Sequence, residues 1–162
     1  MAHYLTASKL VEALIAKGLS VATAESCTGG GVAHAITAVP GASAVFKGSV
    51  VSYANEVKES LLGVRSETLK SVGAVSKETA EQMASGARKL LNVDIAVSLT
   101  GIAGPDGGTA LKPVGLVWFG YADSYGVRSV ERRFEGSREE VREAAIAFAL
   151  ELLNKMASGE RK

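Results

Sequence analysis

The chain has 162 residues, 47% of them hydrophobic and 22% charged, with a formal net charge of +1. That length suits one domain with its own core, and the near-neutral balance excludes a basic nucleic-acid surface or a polybasic membrane anchor. Cys27 is the only cysteine, which excludes an intrachain disulfide, and His3 and His34 fit no metal-binding spacing.

In chain order, Leu10, Val11, Leu14 and Ile15 recur at helical spacing and Gly18 ends that pattern. LSVATAES then reads as a short strand, and the glycines after it lead into a helix over 28–38 that Pro40 and Gly41 stop. VFKGSVVSYAN is a strand, NEVKESLLG a short helix, and 65–72 adds a further turn. Ser76 opens a longer helix with a stripe of Ala80, Met83, Ala84, Ala87, Leu90 and Leu91. VDIAVSLTG alternates as a strand, and IAGPDGGTALKP is a loop. VGLVWFGYA and GVRSVERRF flank a turn at Asp123–Gly126 and pair as an antiparallel hairpin. Ser137 and Glu140 form a capping box for the last helix, which buries Val141, Ala145, Phe148 and Leu152.

Helix and strand alternate for two thirds of the chain before the hairpin. That order predicts a mixed sheet covered by helices on both faces, an α/β fold in one domain spanning 1–162. No apolar run approaches the roughly 18 residues of a membrane span, and MAHYLTASKLVEAL has no secretion leader, so a cytoplasmic location is expected.

Two strand exits, TAESCTGGG (23–31) and TGIAGPDGG (100–108), combine glycines with hydroxyls. In α/β sheets ligands collect at the carboxyl ends of strands, where glycine turns let backbone N–H groups approach an anion. The same turns also serve as plain connections that need positive φ. Neither is a Walker loop or a GxGxxG fingerprint, and Ser26 lies outside any GxSxG elbow.

Cys27 is a nucleophile only with a base, and His34, seven residues on, is about 10 Å away along a helix. A small buried hydrophobe is the simpler role for the thiol. A serine here needs another base, and a buried lysine serves when held neutral. Lys58 follows Tyr53 where a strand turns into a helix, and Ser43 precedes that strand; on spacing alone both are ordinary surface residues.

The motifs TAESCTGG (23–30), SYANEVK (52–58), GAVS (73–76), TGIAGPDGG (100–108) and KPVG (112–115) together resemble the C-terminal domain of the CinA, or competence/damage-inducible, family. The resemblance runs from about residue 6 to residue 155. It implies a three-layer α/β/α sandwich that removes the amide of nicotinamide mononucleotide, giving nicotinate mononucleotide and ammonia. It further implies a serine–lysine dyad without metal or cofactor, with Ser43 as nucleophile and Lys58 as base. Ser26, Tyr53 and Thr100 then surround the carboxamide, with glycine-turn N–H groups or the hydroxyls of Ser26 and Thr100 available to the oxyanion. For the mononucleotide, Thr28, Gly29 and Gly30, Gly101 and Gly104, and Arg138 or Arg142 are the candidate cradle. The molybdopterin-binding-like N-terminal domain of longer members is not expected in this chain. The expected partner is a small molecule, with neither nucleic acid nor membrane, and self-association into a homodimer is anticipated. Two alternatives stand beside this one: an amidase for another nucleotide-linked amide, and a nucleotide-binding module without turnover in a competence or DNA-damage response.

Overall fold

A computed structural model describes residues 2–160. Helix α1 (Tyr4–Lys17) ends where Gly18 takes the left-handed conformation, and strand β1 (Val21–Glu25) follows. Helix α2 (Gly31–Thr37) starts later than the sequence pattern predicts, because Gly29 and Gly30 adopt φ of 61° and 98°. No helix continues through that backbone, and residues with a Cβ rarely adopt it. A single 3-10 turn (Ala42–Ala44) precedes β2 (Phe46–Val51), then come α3 (Asn55–Leu62) and α4 (Ser66–Ser71). Helix α5 (Lys77–Leu91) is capped by Ser76, whose hydroxyl accepts the Thr79 N–H at 3.2 Å. Strands β3 (Ile95–Gly101), β4 (Leu116–Asp123) and β5 (Gly126–Arg133) lead to α6 (Arg138–Ser158). The Ser137–Glu140 capping box is formed.

The five strands lie in the order β2-β1-β3-β4-β5. β1 runs parallel to both β2 and β3, whereas β4 and β5 are antiparallel, the predicted hairpin. The fold is the three-layer α/β/α sandwich with a mixed sheet. On one face α1, α2 and α6 bury Leu10, Leu14, Ile36, Leu150 and Leu153 against Val97, Leu99 and Phe119. Phe119 also meets Phe148 edge-on, with centroids 4.7 Å apart. The alternation read in β3 sends Ile95, Val97 and Leu99 to this face.

The other face is made of small side chains: Ala22, Ala24, Ala96, Ser98 and Gly120. Helix α5 can therefore lie close to the sheet. Ser98 donates to the Ala80 carbonyl at 2.6 Å, and a Cβ on Gly120 would stand 2.1 Å from that same oxygen. Leu90, predicted to be buried, is 52% exposed because the stripe of α5 that faces the sheet is narrow and runs through Ala80, Met83, Ala84 and Ala87. In α6, Ile146, Ala149, Leu150 and Leu153 are buried more deeply than Phe148 and Leu152. Among the described residues no helix is long and apolar enough to cross a membrane.

Candidate active site

The parallel strands β2, β1 and β3 end side by side, with Glu25 paired to both Val51 and Leu99. The residues just beyond these ends enclose a cleft of about 300 Å³. β1 delivers Ser26 and Cys27, β2 delivers Tyr53, Asn55 and Lys58, and β3 delivers Thr100 to Gly104. Ala74 and Val75 before α5 form one wall, and Arg138 at the start of α6 stands at the edge.

Lys58 is the unusual residue. It is 1% exposed, and its Nζ lies 2.6 Å from the Ser52 carbonyl, 3.3 Å from the Tyr53 carbonyl and 3.1 Å from the Ser26 hydroxyl. Among the described residues no carboxylate pairs with it. Burial without a counter-charge disfavours the ammonium, so the Lys58 pKa is lowered from the ordinary lysine value. The two carbonyls can only accept. In the neutral amine they take the N–H hydrogens, which leaves the lone pair directed at Ser26. Ser26 is held in turn by its own N–H, which donates to the Leu99 carbonyl at 3.0 Å.

The structure does not bring the expected pair, Ser43 and Lys58, together. Ser43 lies in the 3-10 turn before β2, exposed beside Thr37, Val39 and Phe46, whereas Lys58 follows the far end of that strand. Six residues of extended strand separate the two ends by about 20 Å. The hydroxyl that does reach Lys58 is that of Ser26.

Other expected site residues divide between cleft and scaffold. Tyr53 is 62% exposed at the rim, and its hydroxyl accepts from Arg138 Nη2 at 3.1 Å. Arg138 also donates to the Gly104 carbonyl at 2.8 Å, which ties α6 to the loop after β3. Gly101 and Gly104 line the cleft. Thr100 lines it too, but its hydroxyl hydrogen goes to the Ala74 carbonyl at 2.8 Å. Thr100 therefore holds the wall at Ala74–Val75 and is not an oxyanion donor in this conformation.

Thr28, Gly29 and Gly30 do not line the cleft. Thr28 is fully buried and donates to Glu25 at 2.7 Å. A Cβ on Gly31 would stand 2.4 Å from Ile146 Cδ1, so this segment packs on α6. Arg142 donates to the carbonyls of Cys27 and Thr28 at 3.1 and 3.2 Å, bracing the turn from behind. The glycines shape the turn. Burial pushes the Cys27 thiol up to about 11, which disfavours the thiolate at neutral pH.

Three residues escaped the sequence reading. Asn55 and Asp106 line the cleft; both lie inside quoted motifs, SYANEVK and TGIAGPDGG, but neither was singled out as a site residue. Glu25 is 0% exposed and accepts from Thr28, Val32 and Ala33 at 2.7, 2.9 and 3.0 Å. An acidic residue closing an otherwise small and apolar strand was the available signal. A larger hollow of about 410 Å³ lies at the opposite end of the sheet. Three of the charged groups that line it are engaged: Arg128 pairs with Asp123 at 3.1 Å, and Lys17 donates to the Ala157 carbonyl at 2.5 Å. Among the described residues no group of three His, Cys, Asp or Glu side chains is placed to hold a metal.

Comparison with known proteins agrees with the cleft's motifs. The model of the CinA C-terminal domain matches residues 4–157. The chain belongs to the CinA C-terminal domain family. Within that family, the nicotinamide-nucleotide amidohydrolase PncC of Escherichia coli K12 is 51% identical over 143 residues, 88% of this chain and 87% of its own length. A CinA-like protein of Endomicrobium trichonymphae is 54% identical over 136 residues, 84% of this chain and 32% of its own length. The chain thus spans about a third of the length of such longer CinA relatives. Among solved structures, a CinA superfamily protein of Klebsiella pneumoniae superimposes with a TM-score of 0.92 at 36% identity, covering 96% of this chain and 98% of that one. The competence/damage-inducible protein CihA of Agrobacterium tumefaciens gives 0.86 at 45% identity, covering 91% and 93%.

Proposed function

We propose that this CinA-family chain hydrolyses the carboxamide of nicotinamide mononucleotide to nicotinate mononucleotide and ammonia, with Ser26 as nucleophile and Lys58 as its base. The observation that carries the chemistry is the 3.1 Å contact between a buried, unpaired lysine and a serine facing a cleft. The substrate is supported by the 51% identity to PncC over nearly the whole of both chains.

Neutral Lys58 accepts the Ser26 proton as Oγ attacks the carboxamide carbon. The N–H of Cys27, the residue after the nucleophile, receives the developing oxyanion. Collapse of the tetrahedral adduct breaks the C–N bond, and the Lys58 ammonium protonates the departing ammonia. A water then gives its proton to Lys58 and attacks the acyl-enzyme, which releases the carboxylate and restores both residues. The pyridinium charge of the substrate disfavours a second cation nearby and so supports the neutral amine. Arg138 is the group we assign to the phosphate, an assignment supported by its position at the cleft edge, bonded to Tyr53. The test is ammonia release from nicotinamide mononucleotide by the purified protein. Turnover should disappear in Ser26→Ala and Lys58→Met; binding without ammonia in the unmodified protein favours a nucleotide-binding module instead.

A further inference from the structure

We infer that Glu25 is a positioning residue for the Ser26–Lys58 pair, an inference that rests on the reading of Ser26 as nucleophile. Its carboxylate reaches four different parts of the fold around Ser26. Oε1 accepts from the Thr28 hydroxyl in the turn at 2.7 Å and from the Val32 N–H of α2 at 2.9 Å. Oε2 accepts from the Ala33 N–H at 3.0 Å and from the hydroxyl pair of Thr23 and Ser49 of β2, which lie 3.1 and 3.5 Å from it and are bonded to each other at 2.7 Å. Glu25 also acts through its main chain. Its carbonyl accepts the Ser52 N–H at 2.8 Å, and the Ser52 carbonyl is the acceptor 2.6 Å from Lys58 Nζ. One residue is therefore covalently next to the nucleophile and one hydrogen bond removed from Ser52, whose carbonyl orients the base.

Packing alone does not explain a carboxylate here. The rest of β1 is Val, Ala, Thr and Ala, all buried, and among the described residues no cation pairs with Glu25. Burying a charge is unfavourable unless hydrogen bonds replace its water. Four hydrogens do so, from Thr28, Val32, Ala33 and the Thr23–Ser49 hydroxyl pair, and they lock the turn that carries Ser26 against β2 and α2. Loss of that lock lets the hydroxyl drift from the lysine lone pair while the cleft that binds substrate stays in place.

The experiment uses Glu25→Gln, whose amide NH₂ must face an N–H of Val32 or Ala33. Two rates are read: ammonia release from nicotinamide mononucleotide, and labelling of Ser26 by a small fluorophosphonate. A displacement of about 1 Å can lower a rate about a hundred-fold, so kcat should fall by at least about ten-fold with KM within about two-fold. The labelling rate should fall by the same factor. Thr28→Val removes one donor without changing shape and should lower both rates by about three-fold or more, with recovery in Thr28→Ser. If Glu25→Gln does not fold, the Thr28 pair decides the matter alone. Lower thermal stability with unchanged kcat and labelling would overturn the inference, since that is the signature of a structural residue. Labelling compares the variants even if the mononucleotide is not the substrate. A wild-type protein whose Ser26 is not labelled overturns both the nucleophile assignment and this inference.

Discussion

Lys58 Nζ stands 3.1 Å from Ser26 Oγ, although 32 residues separate the two in the chain. Among the described residues Ser26 is the side chain hydrogen-bonded to that amine, since Ser43 lies beyond the opposite end of β2 and Thr100 is bonded to the wall at Ala74. The first expectation concerns which serine acts. Ser26→Ala should lower kcat for ammonia release by about a thousand-fold or more, the loss typical of removing an activated nucleophile. Ser43→Ala should stay within about two-fold of wild type, because an exposed turn residue outside the cleft loses little on truncation. Retained turnover in Ser26→Ala, measured by ammonia release with single-turnover controls, would remove the proposed dyad.

That contact also explains which parts of the site the sequence carried. The two strand exits at 23–31 and 100–108, the hairpin and both serine caps were legible because each is written in local spacing. The pairing of Ser26 with Lys58 was not, because it arises across the parallel β1–β2 ladder. Parallel register sets Glu25 beside Val51, so the residues that leave the two strands become neighbours. Ser43, only 15 positions before Lys58, is nearer in sequence but is held off by the length of β2. Glycine carried a similar ambiguity. Gly29 and Gly30 serve backbone conformation, while Gly101 and Gly104 lie on the cleft, and composition alone does not separate the two uses.

The second expectation is a pH dependence. Lys58 acts as a base only when neutral, and burial lowers its pKa. A plot of kcat/KM against pH should therefore rise to a plateau, with its midpoint below the ordinary lysine value. Stability should carry the same signature. Between the folded pKa of Lys58 and the ordinary value, the unfolded chain binds a proton that the folded chain does not, so stability rises with pH across that window. Lys58→Met removes this contribution, so its Tm relative to wild type should be highest at low pH and should decline as pH climbs. A relative Tm that is flat with pH would mean that the lysine is not held at a lowered pKa.

The third expectation separates the two arginines of α6. Arg138 reaches the cleft edge at Tyr53 and Gly104, while Arg142 binds the carbonyls of Cys27 and Thr28 behind the turn. Arg138→Ala should raise KM for the mononucleotide by about ten-fold or more with a smaller effect on kcat, as lost ground-state binding does. Arg142→Ala should act chiefly on kcat, because it loosens the segment that presents Ser26. Steady-state kinetics on both variants decide the point, and a KM effect confined to Arg142→Ala would reverse the assignment.

The last expectation links packing on the small-residue face to the position of the base. Gly86 lies within α5, where replacement by alanine normally favours helix by about 1 kcal/mol. Here a Cβ would stand 1.8 Å from the Leu62 carbonyl oxygen and 2.9 Å from its Cα. Those are backbone atoms of α3, which cannot swing aside as a side-chain tip can. Overpacking of this kind costs about 1–3 kcal/mol and exceeds the gain in helix propensity, so Gly86→Ala should be net destabilising. At about 2–4 °C per kcal/mol for a chain of this size, Tm should drop by a few degrees. Leu62 is one helical turn beyond Lys58, so any displacement of α3 moves the amine away from Ser26. The variant should therefore lose kcat by about five-fold or more while KM changes little, since a small shift of a catalytic group lowers rate more than binding. A Tm equal to or above wild type, measured by thermal unfolding, would show that α3 yields freely and that α5 does not hold Lys58 in place.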